Sequence, residues 1–289
     1  MAIADWYFKH LGKLMIIPVV MFIVSIVIVG MTIHNTGDFI LKDVSLTGGT
    51  TARVELPADI NEVERVLETE LGKEVIVKKL TQFGSNEQVG FTIEVADTSA
   101  ADIERVLTEK VGLTLTDENF SVEQTGSSLG ESFYSQMLRA IIFAFILMAI
   151  VIVITFRTII PSIAVIAAAF FDILVAVAAI DLLGIRISTA GVAAILLLIG
   201  YSIDTDVLLT TRVLKREGTV RAKILSSIST GMTMTMATLA AIIVGLILTN
   251  SELIREMFLI ILFGLVADII STWIMNVWII KWYAERKNA

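Results

Sequence analysis

The sequence predicts a polytopic α-helical membrane protein: six transmembrane helices, with one external α+β domain of the ferredoxin-like (βαββαβ) kind inserted between helices 1 and 2. Three observations predict it. Hydrophobic residues make up 56% of the chain and the mean hydropathy is +0.84, above the values of ordinary globular chains. The apolar residues gather in six runs long enough to span a bilayer. Between the first two runs hydropathy collapses, and there a motif repeats: Glu64-Arg65-Val66-Leu67 returns as Glu104-Arg105-Val106-Leu107, and Gly72 as Gly112, each 40 residues on. The chain divides accordingly into residues 1–33 (an N-terminal segment and helix 1), 34–136 (the external domain) and 137–289 (five membrane helices).

Composition narrows the function. With no cysteine, disulfides, thiolate nucleophiles and cysteine-ligated metals are excluded, and His10 and His34 are too few and too peripheral for a histidine cluster. No metal, no cofactor and no enzymatic activity are expected. Residues 33–136 carry 8 Lys and Arg against 19 Asp and Glu, a balance opposed to nucleic-acid binding, which rests on clustered bases.

In order, residues 14–32 form the first run. It exceeds a signal-peptide core and no small-residue cleavage site follows, so it reads as a retained helix, with Pro18 in its first turn. Residues 44–56 hold β-formers interrupted by Gly48-Gly49. These glycines read as a bend, a hinge between membrane and outer domain, because no Gly-x-x-x-x-Gly-Lys pattern follows. Pro57-Ala58-Asp59 opens a helical pattern that stops near Gly72. Residues 74–83 read as a strand, Gly84-Ser85-Asn86 as a turn, and 88–96, alternating Val89, Phe91, Ile93 and Val95, as the partner strand. The repeat supplies a second helix, and 119–124 close the sheet. Two helices would cover one face, leaving the other for water or a partner. Residues 124–130 read as a linker.

The remaining runs are 137–156, 159–182, 187–209, 224–249 and 254–280, the first two separated at Arg157-Thr158-Ile159-Ile160-Pro161. Lys9, Lys13, Arg157, Arg212, Lys215, Arg216, Arg221, Lys223, Lys281, Arg286 and Lys287 fall on one side of the membrane; the other side's short loops hold only Arg186 and Arg255. The bias predicts cytoplasmic termini and an extracytoplasmic domain in the cell membrane. Trp273, Trp278 and Trp282 suit an interfacial belt.

Inside the runs stand Asp172, Asp204, Asp206 and Asp268, with no Lys, Arg or His between Lys223 and Arg255. A charge near mid-membrane costs about 2.5–3.5 kcal/mol on insertion scales, so such residues face a polar interior or an ion path. At about 100° per residue, Asp204 and Asp206 point roughly 200° apart, so at most one faces a given neighbour. Acids without a counter-charge suit groups that take up and release protons. The plainer alternative, weightiest for Asp268, is a neutral carboxyl bonding a neighbouring helix. In the fifth run Ser226, Thr230 and Thr233 share a face that could lie against the aspartates.

The order of one helix, an external domain and five helices resembles the SecD/SecF family of protein-export membrane proteins, on its SecF side and in an archaeal-type branch. The matching features are Leu46-Thr47-Gly48-Gly49-Thr50, Phe171-Asp172, and Gly200-Tyr201-Ser202 followed by acids and then Arg212. The resemblance implies that the chain pairs with SecD beside the SecY channel and uses the proton-motive force to draw unfolded polypeptide outward. It also implies kinship with proton-driven RND transporters. Two departures stand out: Asp204-Thr205 replaces the Asn-Asp of the better-known bacterial pattern, moving the key acid to Asp204 or Asp206, and the arginine expected in the fifth helix is missing. The proton-relay candidates are thus Asp204, Asp206 and Asp172, supported by Tyr201, Ser202, Thr230 and Thr233, with Gly48, Gly49 and Gly200 as backbone motif positions. Alternatives are a small-molecule or lipid transporter subunit of RND type, a structural partner-stabilising subunit, and an intramembrane aspartyl protease. The last is disfavoured because Phe171, not Tyr, precedes Asp172, and Gly-x-Gly-Asp is absent.

Overall fold

The computed structural model describes residues 2–81, 87–249 and 251–287. Six of its helices are long and apolar enough to cross a membrane: Ala4–Thr36, Ser127–Phe156, Ile159–Leu182, Thr189–Lys215, Val220–Leu248 and Glu252–Arg286. The first divides at Met15 into α1 (Ala2–Leu14) and α2 (Ile16–Thr36). The break lies just ahead of Pro18, whose missing N–H leaves the Leu14 carbonyl without its helical donor.

Next come α3 (Val44–Thr47), β1 (Gly49–Val54), α4 (Ile60–Leu71), β2 (Val75–Thr81), β3 (Gln88–Val95), α5 (Ala100–Val106, continued by a π-helical turn to Val111) and β4 (Phe120–Thr125). Asp59 caps α4 by accepting from the Asn61 and Glu62 amides, Ser99 caps α5, and Gly72 and Gly112 end both helices in the left-handed conformation. The four strands pair antiparallel in the order β2-β3-β1-β4, with Ala52 opposite Ile93 and Val122. Alternation sends Ala52, Val54, Phe91, Ile93 and Val95 into a core with Val63, Leu67, Ile103 and Leu107 of the two helices. Thr51, Arg53, Lys78, Thr92 and Glu94 point the other way.

Two expectations shift. Residues 44–47 are helical, not extended: Asp43 accepts from the Val44 amide at 2.6 Å and the strand begins only at Gly49. The expected linker is short, because α6 (Ser127–Phe156) begins at Ser127, where hydropathy places the helix start at 137. The expected turn 84–86 and the last two residues of the expected strand 74–83 lie outside the described residues.

The membrane helices are α2, α6, α7 (Ile159–Leu182), α8 (Thr189–Lys215), α9 (Val220–Leu248) and α10 (Glu252–Ile270), the last carried through a π-turn (Ser271–Asn276) into α11 (Val277–Lys287). Arg157, left-handed at φ 54°, separates α6 from α7. Helices α7, α8 and α10 are about half buried and form the centre; α2, α6 and α9 turn most of their surface outward. Trp273 is buried among its neighbouring helices rather than turned outward, and its carbonyl accepts from the Tyr7 hydroxyl; Trp278 and Trp282 are exposed.

The sheet domain is tied to the bundle by backbone. Ile187, between α7 and α8, donates to the Leu41 carbonyl at 2.7 Å, and Asp43 donates back to Ile187 at 3.1 Å. At Gly48 the chain crosses the start of α6: a Cβ there would meet Ser127 Cα at 2.3 Å, and one on Gly130 would meet Gly48 N at 2.5 Å.

Candidate functional site: a buried carboxylate cluster

Three central helices each bring an aspartate inward. Asp172 of α7, Asp206 of α8 and Asp268 of α10 are all fully buried. Ser202 Oγ donates to Asp172 Oδ2 at 2.5 Å and Ser271 Oγ to Asp172 Oδ1 at 2.8 Å. Thr205 Oγ1 lies 3.0 Å from both oxygens of Asp268. Thr272 Oγ1 lies 2.9 Å from Asp206 Oδ1 and 2.9 Å from Asp268 Oδ1, and Asn276 Nδ2 donates to Asp206 Oδ1 at 2.5 Å. One polar network thus runs through three helices.

Helix geometry builds it. On α8, Ser202, Thr205 and Asp206 fall at i, i+3 and i+4, hence on one face. On the last membrane helix Asp268, Thr272 and Asn276 follow one another at i+4. The π-turn at Ser271–Asn276 widens the helix there, while Ser271 meets Asp172 and Thr272 meets Asp206. Proton exchange is what this arrangement suits chemically. The Thr272 hydroxyl has one hydrogen but two carboxylate oxygens at 2.9 Å, so both contacts are hydrogen bonds only when one carboxyl carries a proton.

The remaining candidates fall elsewhere. Asp204 and Tyr201 are exposed on the far side of α8, as a two-residue spacing on a helix requires. Gly200 is exposed, with open space around it. The hydroxyls of α9 do not meet the aspartates: Thr230 and Ser226 accept from Arg212 at 2.9 and 3.1 Å, and Thr233 donates to its own helix at Ser229 O. Arg212 therefore ties α8 to α9. The hydroxyl and amide partners Ser271, Thr272 and Asn276 escaped the sequence reading. Their signal was present, as three polar residues inside an apolar run at i+3, i+4 and i+8 from Asp268.

A second polar site lies where the sheet meets the bundle. The uncovered sheet face and the ends of α8 and α10 enclose a cleft of about 830 Å³. Lys78 Nζ on its sheet side lies 2.6 Å from Glu94 and 3.6 Å from Glu252 of α10. At its floor Glu256 accepts from the Ser188 amide at 2.8 Å and from Ser188 Oγ at 2.7 Å, joining the starts of α8 and α10.

The family described as "Protein export membrane protein SecD/SecF, C-terminal" matches residues 106–286, more than half of the chain. The chain belongs to the SecD/SecF family. It is 33% identical to the protein-export membrane protein SecF of Pyrococcus furiosus, over 96% of this chain and 92% of that one. It is 34% identical to SecF of Methanothermobacter thermautotrophicus, over 98% and 96%. Among solved structures it resembles SecDF, a translocon-associated membrane protein from Thermus thermophilus, with a TM-score of 0.75 at 20% identity, over 95% of this chain. The chain spans only 38% of that SecDF. Family and helices together make it a multi-pass membrane protein.

Proposed function

We propose that the chain is a SecF-type subunit of the protein-export machinery, pairing with SecD beside the SecY channel and using the proton-motive force to help draw unfolded polypeptide across the membrane. Kinship with SecF supports the export role, and the single observation that carries the proton reading is the network of Asp172, Asp206 and Asp268 on three packed helices. Protonation changes which hydroxyl donates to which carboxyl, and so the preferred packing of α8 against α10. The sheet domain, ferredoxin-like in its strand order, is placed outside the membrane with both termini in the cytoplasm, in keeping with the loop charges. It receives the movement through the Ile187–Leu41 backbone pair and the Lys78–Glu252 contact. About 2.3 kcal/mol is available per charge per 100 mV, enough to bias a two-state packing.

The test is export of a secreted precursor, followed by pulse-chase in cells carrying Asp206→Asn or Asp204→Asn. Asp206→Asn should abolish stimulation of export while SecD still copurifies, and Asp204→Asn, altering an exposed carboxyl, should leave it near wild type. Full stimulation with Asp206→Asn would reduce the chain to a structural subunit.

A further inference from the structure

Resting on the proton reading, a further question is how the charged cleft and the carboxylate cluster are kept apart. Both lie along α8 and α10. Glu252 and Glu256 mark the cleft end of α10, and the i+4 ridge continues through Ile260, Gly264, Asp268 and Thr272. From Glu256 to Asp268 the helix rises by roughly 18 Å, at 1.5 Å per residue. Over the corresponding depth α7 (173–180), α8 (190–199) and α10 (257–267) carry no polar side chain. That layer is fully packed: Ile195, Leu198, Ile260 and Leu265 are all buried. At its centre Leu198 fills a notch in α10, since a Cβ on Gly264 would stand 2.3 Å from both Leu198 methyls.

We infer that the cleft is the outer vestibule from which protons reach the carboxylate cluster, and that Leu198, seated on Gly264, is the residue that closes the path between them. A proton cannot hop across a dry apolar layer of this thickness; it needs a thread of water, and hydrophobic constrictions exclude water until they widen. Gly264 gives the constriction two states. With no side chain there, Leu198 lies flush against the α10 backbone, and a small separation of α8 from α10 unseats it. The same pair of helices carries Asp206 and Asp268, so repacking around a protonated carboxyl acts directly on the gate.

The test uses the full chain purified with its native partner and reconstituted into vesicles holding a pH-sensitive dye, with an outside-acid pH step. Leu198→Ala should speed proton uptake by at least about tenfold over wild type, the change that ~1.4 kcal/mol off a barrier gives. Adding Asp206→Asn should return uptake to the wild-type rate. Wild-type uptake by a folded Leu198→Ala complex would overturn the gate and leave the proton reading standing. A leak that survives Asp206→Asn would support the gate and overturn the carboxylates as the conduit. A second measurement does not depend on opening the core. The chain has no cysteine, so Thr51→Cys in the cleft and Leu198→Cys at the gate each carry a single thiol. A membrane-impermeant cationic thiol reagent applied from outside should modify the cleft position at least about tenfold faster. Equal rates would mean no plug, and the inference would fall.

Discussion

Glu94 stands on the sheet face that looks into the cleft, almost wholly removed from solvent. Burial pushes its carboxyl up to about 7, with the negative charge of Asp43 adding to the effect and Lys78, 2.6 Å away, opposing it. Unfolded, the same group titrates near 4.5. Between these values the folded protein holds a proton that the unfolded chain has released, so stability declines as pH rises across the window and levels off above 7. Glu94→Gln should flatten that decline, read as a smaller difference between the melting temperatures of the complex at pH 5 and pH 8; an unchanged slope would assign the titration to another group. Residue-level reading of the sequence had uneven reach. Asp172 and Asp206 stand out because an acid in an apolar run has few explanations. Asp268 does too, but its partners do not: serine, threonine and asparagine in a membrane helix are ordinary packing residues until a neighbouring helix supplies the carboxylate they face. The direction of Asp206 against Asp204 needed the neighbours as well, since helical spacing separates the two without saying which is inside.

Among the elements, the short crossing of α3 and β1 over the start of α6 is the least forgiving. Gly48 adopts φ 83° and lies against the Ser127 backbone, so Gly48→Ala meets both a disfavoured conformation and an atom that cannot move aside. It should destabilise the protein by about 2 kcal/mol or more, read as a lowered melting temperature of the complex. A melting temperature equal to wild type would show that the crossing can relax. The same crossing explains which elements were readable in advance. Apolar runs, helix caps and the 40-residue repeat are local signals, and they yielded six membrane helices, α4 and the β2-β3 pairing. The first turns of α6 are polar and contain Gly130, with Gly126 just ahead of them, so hydropathy assigns them to a linker; they are helical where Leu46-Thr47-Gly48 packs across them. The π-turn before α11 has no periodicity of its own, since its extra residue registers only against neighbouring helices, among them α7, where Ser271 meets Asp172, and α8, where Thr272 meets Asp206.

At the scale of the molecule, the contacts that join the acidic sheet domain to the bundle include the Ile187–Leu41 backbone pair, Arg186 with Glu74 at 2.7 Å, and Lys78 with Glu252. Two of these are exposed or half-exposed ion pairs, each worth no more than about 1 kcal/mol. These two pairs add little rigidity of their own to the joint, in keeping with the rocking that the proposed function calls on. If export depends on that rocking, fixing the joint should stop it. A chain with no native cysteine allows Lys78→Cys and Glu252→Cys to be bridged by a flexible bis-maleimide in the assembled complex. The bridged protein should lose stimulation of export while remaining associated with its partner, and each single variant treated with the same reagent should keep it. The single variants separate loss of the ion pair from loss of movement, because each breaks the Lys78–Glu252 contact without tying the two bodies together. Undiminished export by the bridged protein would mean that the sheet domain works as a fixed platform, and that protonation within the bundle is felt by a partner through the outward faces of α2, α6 and α9.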